Sequence, residues 1–283
     1  MILFRHPADI HAHLQKLRDN KSTIGLVPTM GALHQGHISL IERSKQSATT
    51  TVSSIFINPT QFNDQQDFVH YPVTLDKDIQ QLEIAGCDIL FLPRVNDIYP
   101  NGTTGLETYA LGRIEALLEG YYRPGHFQGV CQVVNRLLDT VQPDMLFLGQ
   151  KDYQQCMVIA KMLELTGKKI QLIQAPTLRE ADGLAMSSRN MRLDKASRQN
   201  ATAIYATLQF LKSDIQAGET GILIQTAIDH LQTAGFDRID YVRIADAKTL
   251  EPITVWDGQT PVVALIAAFI GGVRLIDNLP LHP

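Results

Sequence analysis

Cysteine is scarce in this chain: Cys87, Cys131 and Cys156 are odd in number and stand in no metal-ligand spacing. That argues against a disulfide framework and fits a reduced setting in which each thiol is a small core residue. Excess positive charge is missing too. With 25 basic and 29 acidic residues the net charge is −4, so bulk charge does not hold the protein to nucleic acid or to a membrane surface. No apolar run reaches the length of a bilayer span, and the most apolar stretch, 261–276, is broken by Gly271, Gly272 and Arg274. The opening MILFRHPADIHAHL turns polar too early for a secretory signal, so a cytoplasmic protein is expected. Repeats, low-complexity tracts and long linkers are absent as well.

What remains is an ordinary globular composition, 45% apolar and 19% charged, in a chain of 283 residues. That length is generous for one core and predicts one large and one smaller domain. Strand-like runs recur at Thr23–Val27, Thr51–Ile57, Ile89–Leu92, Met145–Leu148 and Ile170–Gln174, with helical patterns near 36–48, 75–85, 126–141 and 153–166 between them. Such alternation predicts an α/β fold, a parallel sheet with helices on both faces. Beyond Pro176 the pattern changes to a long helix from Asp194 to about Ala217, a second near Ile222–Ala234, and β-rich runs at Ile239–Ile244 and Val262–Ile270. This predicts a smaller C-terminal α+β domain, hence domains 1–176 and 177–283.

The stretch VPTMGALHQGHISLIERSK, Val27 to Lys45, joins the first of these strands to an amphipathic helix. In open α/β sheets ligands bind at that edge, and a helix N-terminus there presents N–H groups to an anion. Gly31 and Gly36 allow close approach of the backbone, and His34 and His37 supply hydrogen-bond donors as charge develops. A His-x-x-His pair alone is more often two surface histidines; the strand, glycines and helix around it favour a phosphate site.

Four further segments are candidates. In SIFINPTQF an apolar strand ends at the turn-forming pair Asn58-Pro59, and Gln61 follows with both acceptor and donors. In FLGQKDYQQC, Lys151 can hold phosphate as a point charge and Asp152 can cap a helix, with Gln155 one turn further on. In LREADGLAMSSRNMRL, the hydroxyls of Ser187 and Ser188 and the guanidinium of Arg189 suit phosphate oxygens, although Ser187 or Asp194 can equally cap the next helix. In RPGHFQGV, two glycines mark a tight turn and His126 reads as a cap residue; Tyr121, Tyr122 and Trp256 read as core or domain-interface aromatics.

Taken in order, VPTMGALHQGH, SIFINPTQF, YPVTLDKD, IYPNGT, RPGHFQGV, QPDMLFLGQKDYQQ, DGLAMSSRN and RLIDN resemble the pantothenate synthetase (pantoate–β-alanine ligase) family nearly from end to end. His34-Gln35-Gly36-His37 is similar to the His-x-Gly-His signature of class I aminoacyl-tRNA synthetase-like nucleotidyltransferases, and Met186–Arg189 takes the place of their mobile lysine–serine loop. The resemblance implies a Rossmann-like domain binding ATP and pantoate, a C-terminal lid, and condensation of pantoate with β-alanine through pantoyl adenylate. It assigns ATP to Met30, Gly31, Ala32, Leu33, His34, Gln35, Gly36 and His37, with Gly149, Gln150, Lys151, Asp152, Leu178, Met186, Ser187, Ser188 and Arg189. His37, His34 and Lys151 become the catalytic set, Gln61 and Gln155 hold pantoate, and Gln61 also meets β-alanine. Two positions depart from the family pattern. Thr60 stands where relatives often have a bulkier apolar residue, and Lys77 stands where some have an acid. The resemblance therefore implies Mg²⁺ held mainly by the phosphates of ATP, not by a protein site at Asp78 and Gln81. It also implies a homodimer acting on small molecules, without nucleic-acid or membrane partners. Another His-x-Gly-His nucleotidyltransferase acting on a different small acid or phosphate is the nearest alternative; a nucleotide-binding regulator without turnover is a more distant one.

Overall fold

Strands β1 (Ile2–Phe4), β2 (Ile24–Thr29), β3 (Thr50–Ile55), β4 (Ile89–Phe91), β5 (Met145–Gly149) and β6 (Gln171–Ala175) form one sheet in the order β1–β4–β3–β2–β5–β6. Every pairing in it is parallel. These assignments come from a computed structural model that describes residues 1–62 and 68–281. In β2 consecutive residues serve opposite faces. Leu26 packs with helices α1 (Pro7–Asp19), α4 (His126–Val141) and α5 (Tyr153–Thr166), and Val27 packs with α2 (Gln35–Ser47) and α3 (Leu75–Ile84). Each such side chain taken fully out of water contributes about 1.5–3 kcal/mol. The sheet is therefore covered on both faces, as the alternating pattern predicts. Strand order reverses between β2 and β5, which makes their carboxyl ends the switch point where α/β sheets bind ligands.

The C-terminal part is α+β. Strands β8 (Arg238–Asp246), β10 (Val262–Ile270) and β11 (Val273–Pro280) form an antiparallel sheet in the order β11–β10–β8. Its core is shared with helices α7 (Ala203–Asp214) and α8 (Gly221–Thr233), and β7 (Gly218–Glu219) pairs with β9 (Val255–Trp256) as a separate ribbon. The chain divides into two compact units. One comprises Met1–Ala116, Arg123–Gln150 and Gln155–Pro176; the other comprises Leu117–Tyr122, Lys151–Gln154 and the chain from Thr177 onward. Two short excursions from the N-terminal part thus pack with the C-terminal unit.

The single helix expected over Asp194–Ala217 is two, α6 (Lys195–Asn200) and α7. The bonds Ile204 N–H to Ala201 O (3.2 Å) and Tyr205 N–H to Thr202 O (3.1 Å) tighten the chain into a 3₁₀-like turn between them. Strands β1 and β11 and helix α1 lie outside the sequence expectations. Tyr121 and Tyr122 are exposed and are not core aromatics, whereas Trp256 is buried in the C-terminal core. All three cysteines are buried and none is in a disulfide, as expected. Among the described residues, no helix is long and apolar enough to cross a membrane.

Candidate active site

The turn after β2 is built on a buried carboxylate. Asp78, on α3 and 1% exposed, accepts the N–H of Ala32 at 2.9 Å and of Leu33 at 2.8 Å, and the Thr74 hydroxyl at 3.1 Å. Two consecutive backbone N–H groups converge on it because Gly31 and Ala32 both sit in the left-handed region, at φ 83° and 49°. A Cβ at position 31 would stand 3.1 Å from Asp78 Oδ2 and 3.2 Å from Ile55 Cγ2, so glycine is demanded there by conformation and by space. Thr29 completes the support, donating to Ser54 O at 2.7 Å and accepting from Gly31 N–H at 3.2 Å.

That turn delivers two histidines to the N-terminus of α2. His34 is the N-cap, with its Nδ1 accepting the Gly36 N–H at 3.1 Å, and His37 Nδ1 accepts the His34 N–H at 3.3 Å. The two imidazoles thus form a reciprocal capping box, with ring centroids 4.1 Å apart. Since a backbone N–H can only donate, each Nδ1 is an acceptor, and in the neutral rings the hydrogen resides on Nε2. Capping therefore fixes the tautomer that makes both Nε2 atoms donors, beside a helix end whose dipole already favours negative charge.

The segment after β3 is braced as tightly. Asn58, buried, accepts from Tyr99 OH at 2.8 Å and donates to Gly129 O at 3.1 Å and to Gln61 Oε1 at 3.2 Å. Gln61 Nε2 donates in turn to the Met30 thioether, joining this turn to the one before His34. Gly129 is required for packing, because a Cβ there would come within 2.3 Å of Thr60 O. Thr60 has a use for its hydroxyl, which donates to Asn58 Oδ1 at 3.2 Å and pairs with Tyr99 OH at 3.2 Å. His126 is not a cap, since the N-cap of α4 is Gly125. Its Nδ1 donates to Gln61 O at 2.8 Å, while Nε2 faces Arg123 Nη1 at 3.2 Å. Sequence reasoning missed this brace, and only the nearby RPGHFQGV turn signalled it. A cavity of about 440 Å³ abuts the segment and is lined by Pro59, Thr60, Phe62 and Gln128, but by neither His34, His37 nor Gln61. Gln155 lies on α5, and no hydrogen bond among the described residues joins it to Gln61.

The remaining candidates divide at the end of β5. Gly149 and Gln150 belong to the sheet unit, while Lys151, Asp152, Leu178 and Met186–Arg189 belong to the C-terminal unit. Lys151 and Asp152 occupy a 3₁₀ turn ahead of α5. The Met186 N–H donates to Leu178 O at 3.0 Å, and Arg179 bridges Ala185 as a short antiparallel pair. Ser187 caps the turn Ser188–Arg192, accepting the Arg189 N–H at 3.3 Å, and Asp194 caps α6 through Ser197 N–H at 2.8 Å. Of the two residues expected as alternatives to cap the next helix, Asp194 does so, and Ser187 caps the turn before it. Ser188 is buried, whereas Ser187 and Arg189 are partly exposed.

The profile of the Pantoate-beta-alanine ligase family matches residues 2–280. The pantothenate synthetase of Bacteroides thetaiotaomicron is 43% identical over 272 residues, covering 96% of this chain and 95% of that protein. That of Leptospira biflexa is 41% identical over 280 residues, 98% of each. The fold matches crystalline pantothenate synthetase from Thermus thermophilus with a TM-score of 0.92, at 37% identity over the whole of both chains. It also matches a pantoate–β-alanine ligase from Francisella tularensis, crystallised with an ATP compound and β-alanine, with a TM-score of 0.83 at 35% identity over 99% of this chain and 98% of that one. The chain belongs to the pantoate–β-alanine ligase family.

Proposed function

We propose that this member of the pantoate–β-alanine ligase family condenses pantoate with β-alanine at the expense of ATP, forming pantothenate, AMP and pyrophosphate. The observation that carries the reading is the reciprocal cap of His34 and His37, which occupies both Nδ1 atoms and makes each Nε2 the donor, at a helix N-terminus that follows β2, one of the two strands at the switch point of the sheet. In the first step a pantoate carboxylate oxygen attacks the α-phosphorus, and the bond to the bridging oxygen of pyrophosphate breaks. The carboxylate is already a nucleophile, so the demand is for donors where negative charge grows. His37 and His34 supply them through Nε2, and Lys151 adds a point charge. In the second step the neutral amine of β-alanine attacks the acyl carbon, AMP leaves, and the amine proton is lost.

In this reading ATP is held by Met30–His37, Gly149–Asp152, Leu178 and Met186–Arg189. Pantoate is held by Gln61 and Gln155, with Gln61 also near β-alanine. Residues 1–176 act as the binding domain and 177–283 as a lid that protects the acyl adenylate from water. Mg²⁺ held by the phosphates of ATP would supply neutralisation of the charge that develops on pyrophosphate. Ligation chiefly by phosphate and water suits this chain, because the Asp78 carboxylate already accepts from Ala32, Leu33 and Thr74. A homodimer in the cytoplasm completes the proposal, and three buried thiols without a disulfide fit that setting. AMP release, assayed with each substrate omitted in turn, should require ATP, pantoate and β-alanine together. Release that ignores pantoate, or in which phosphopantetheine replaces it, would overturn the reading in favour of another nucleotidyltransferase.

A further inference from the structure

The RLIDN segment of β11 takes no part in the reading so far, yet it fastens both excursions that the C-terminal unit receives. Arg274 forms a fork on Glu119, with contacts of 2.7 and 2.8 Å, while its Nε donates to Asp240 at 2.8 Å. Tyr241 OH donates to the same Glu119 at 2.8 Å. Gln154, from the other excursion, grips the Glu119 segment by donating to Leu117 O at 2.8 Å and accepting Glu119 N–H at 3.0 Å. Asn278, four residues beyond Arg274 on the same face of the strand, is buried and donates from Nδ2 to Lys151 O at 2.8 Å.

Behind Asn278 the support is ionic. The Asp277 carboxylate is fully buried, accepts Asn278 N–H at 2.8 Å and pairs with both Nη atoms of Arg179 at 2.5 and 3.0 Å. Arg179 in turn donates to Gly183 O at 3.2 Å and lies 3.8 Å over the Tyr205 ring, at the root of the segment that leads to Met186 and Ser187. Consecutive residues of one strand therefore hold the start of that loop on one side and the Lys151 backbone on the other. Among the described residues the Lys151 ammonium makes no hydrogen bond or ion pair; it interacts electrostatically with the Asp277 carboxylate, and its reach starts from the backbone that Asn278 holds.

We propose that Asn278, backed by the Asp277–Arg179 pair, is a positioning residue that fixes the Lys151 carbonyl and so sets where the ammonium meets the phosphates of ATP. This rests on the ligase reading of Lys151. A misplacement of about 1 Å can cost on the order of 10²-fold in rate, so Asn278→Ala should lower pantoate-dependent ATP–pyrophosphate exchange by roughly 10- to 100-fold. Pantoate KM should stay within about twofold. If Asn278 acts through Lys151, the loss disappears in a Lys151→Ala background, because coupled residues are not additive. Asn278→Ser, which keeps a short donor, should recover part of the rate and serves if the alanine variant fails to fold. A readout without turnover is ATP protection of Lys151 from an amine-acylating reagent, followed by mass spectrometry, which should be strong in the natural chain and weak in Asn278→Ala. Unchanged exchange, equal protection, or a loss that adds in full to that of Lys151→Ala overturns the proposal. Exchange that ignores pantoate while protection still depends on Asn278 overturns the ligase reading and leaves the positioning role standing.

Discussion

The turn after β2 and the loop before α6 both offer donors suited to phosphate, but they are held by different physics. The first has left-handed backbone at Gly31 and Ala32 locked onto a buried carboxylate, with each histidine capping the same helix end. The second is held by the Met186–Leu178 and Glu180–Leu184 backbone bonds, the Ser187 cap, Asn190 donating to Glu180 at 3.0 Å and to Ala185 O at 3.1 Å, and the buried Arg179–Asp277 pair at its root. Its flank is steadied by Arg198 on Glu180 and Asp182, pairs that are open to solvent. A buried carboxylate with three donors resists rearrangement, because any shift strands a donor away from water. Exposed ion pairs resist little. The histidine turn is thus fixed by buried bonds of its own, whereas the buried ion pair of the other region lies at Arg179, ahead of Met186–Arg189.

Breaking the rigid side should cost most. Asp78→Ala leaves two buried N–H groups unpaired and should cost about 2–4 kcal/mol of stability, read by urea unfolding. Its adenylation rate should fall at least as far as that of a histidine variant, since both imidazoles lose their platform. His37→Ala should slow adenylation by roughly 10²–10³, while loss of the bond its Nδ1 makes to the His34 N–H lowers stability by only about 1 kcal/mol. Normal exchange in that variant would remove His37 from the chemistry. In the loop before α6, Arg189→Lys keeps the charge and loses the planar fork. A loss of about tenfold in single-turnover adenylation, with a smaller loss of ATP affinity, is expected if the contact forms as charge develops. Losses in full proportion would make the loop a static binding element. Smallest of all, Arg198→Ala should change stability by only about 0–1 kcal/mol. A larger change in thermal unfolding would mean that the two regions are equally rigid.

Local pattern made some of this legible in sequence and left the rest out of reach. The alternation of Leu26 and Val27 between two helical layers, the His34–His37 spacing and the full extent of α4, α5 and β10 all follow from near-neighbour chemistry. Long-range pairing did not declare itself. Asp277 and Asn278 interrupt an apolar alternation, and only Arg179 and Lys151, each about a hundred residues away or more, explain why polar groups are buried there. The break between α6 and α7 was hidden because Ala201 and Thr202 keep right-handed helical backbone there, and only the tighter i+3 bonds to Ile204 and Tyr205 interrupt the helix. His126 resembled a cap for the same reason: its partner, Gln61 O, lies 65 residues earlier.

The central claim is that pantoate is activated as an adenylate before any amine is engaged. Isotope exchange between labelled pyrophosphate and ATP, run with pantoate and without β-alanine, tests it directly. Exchange should occur at a substantial rate, vanish when pantoate is withheld, and fall by roughly 10²–10³ in His37→Ala. Exchange that appears only when β-alanine is added, or that persists without pantoate, would contradict the account.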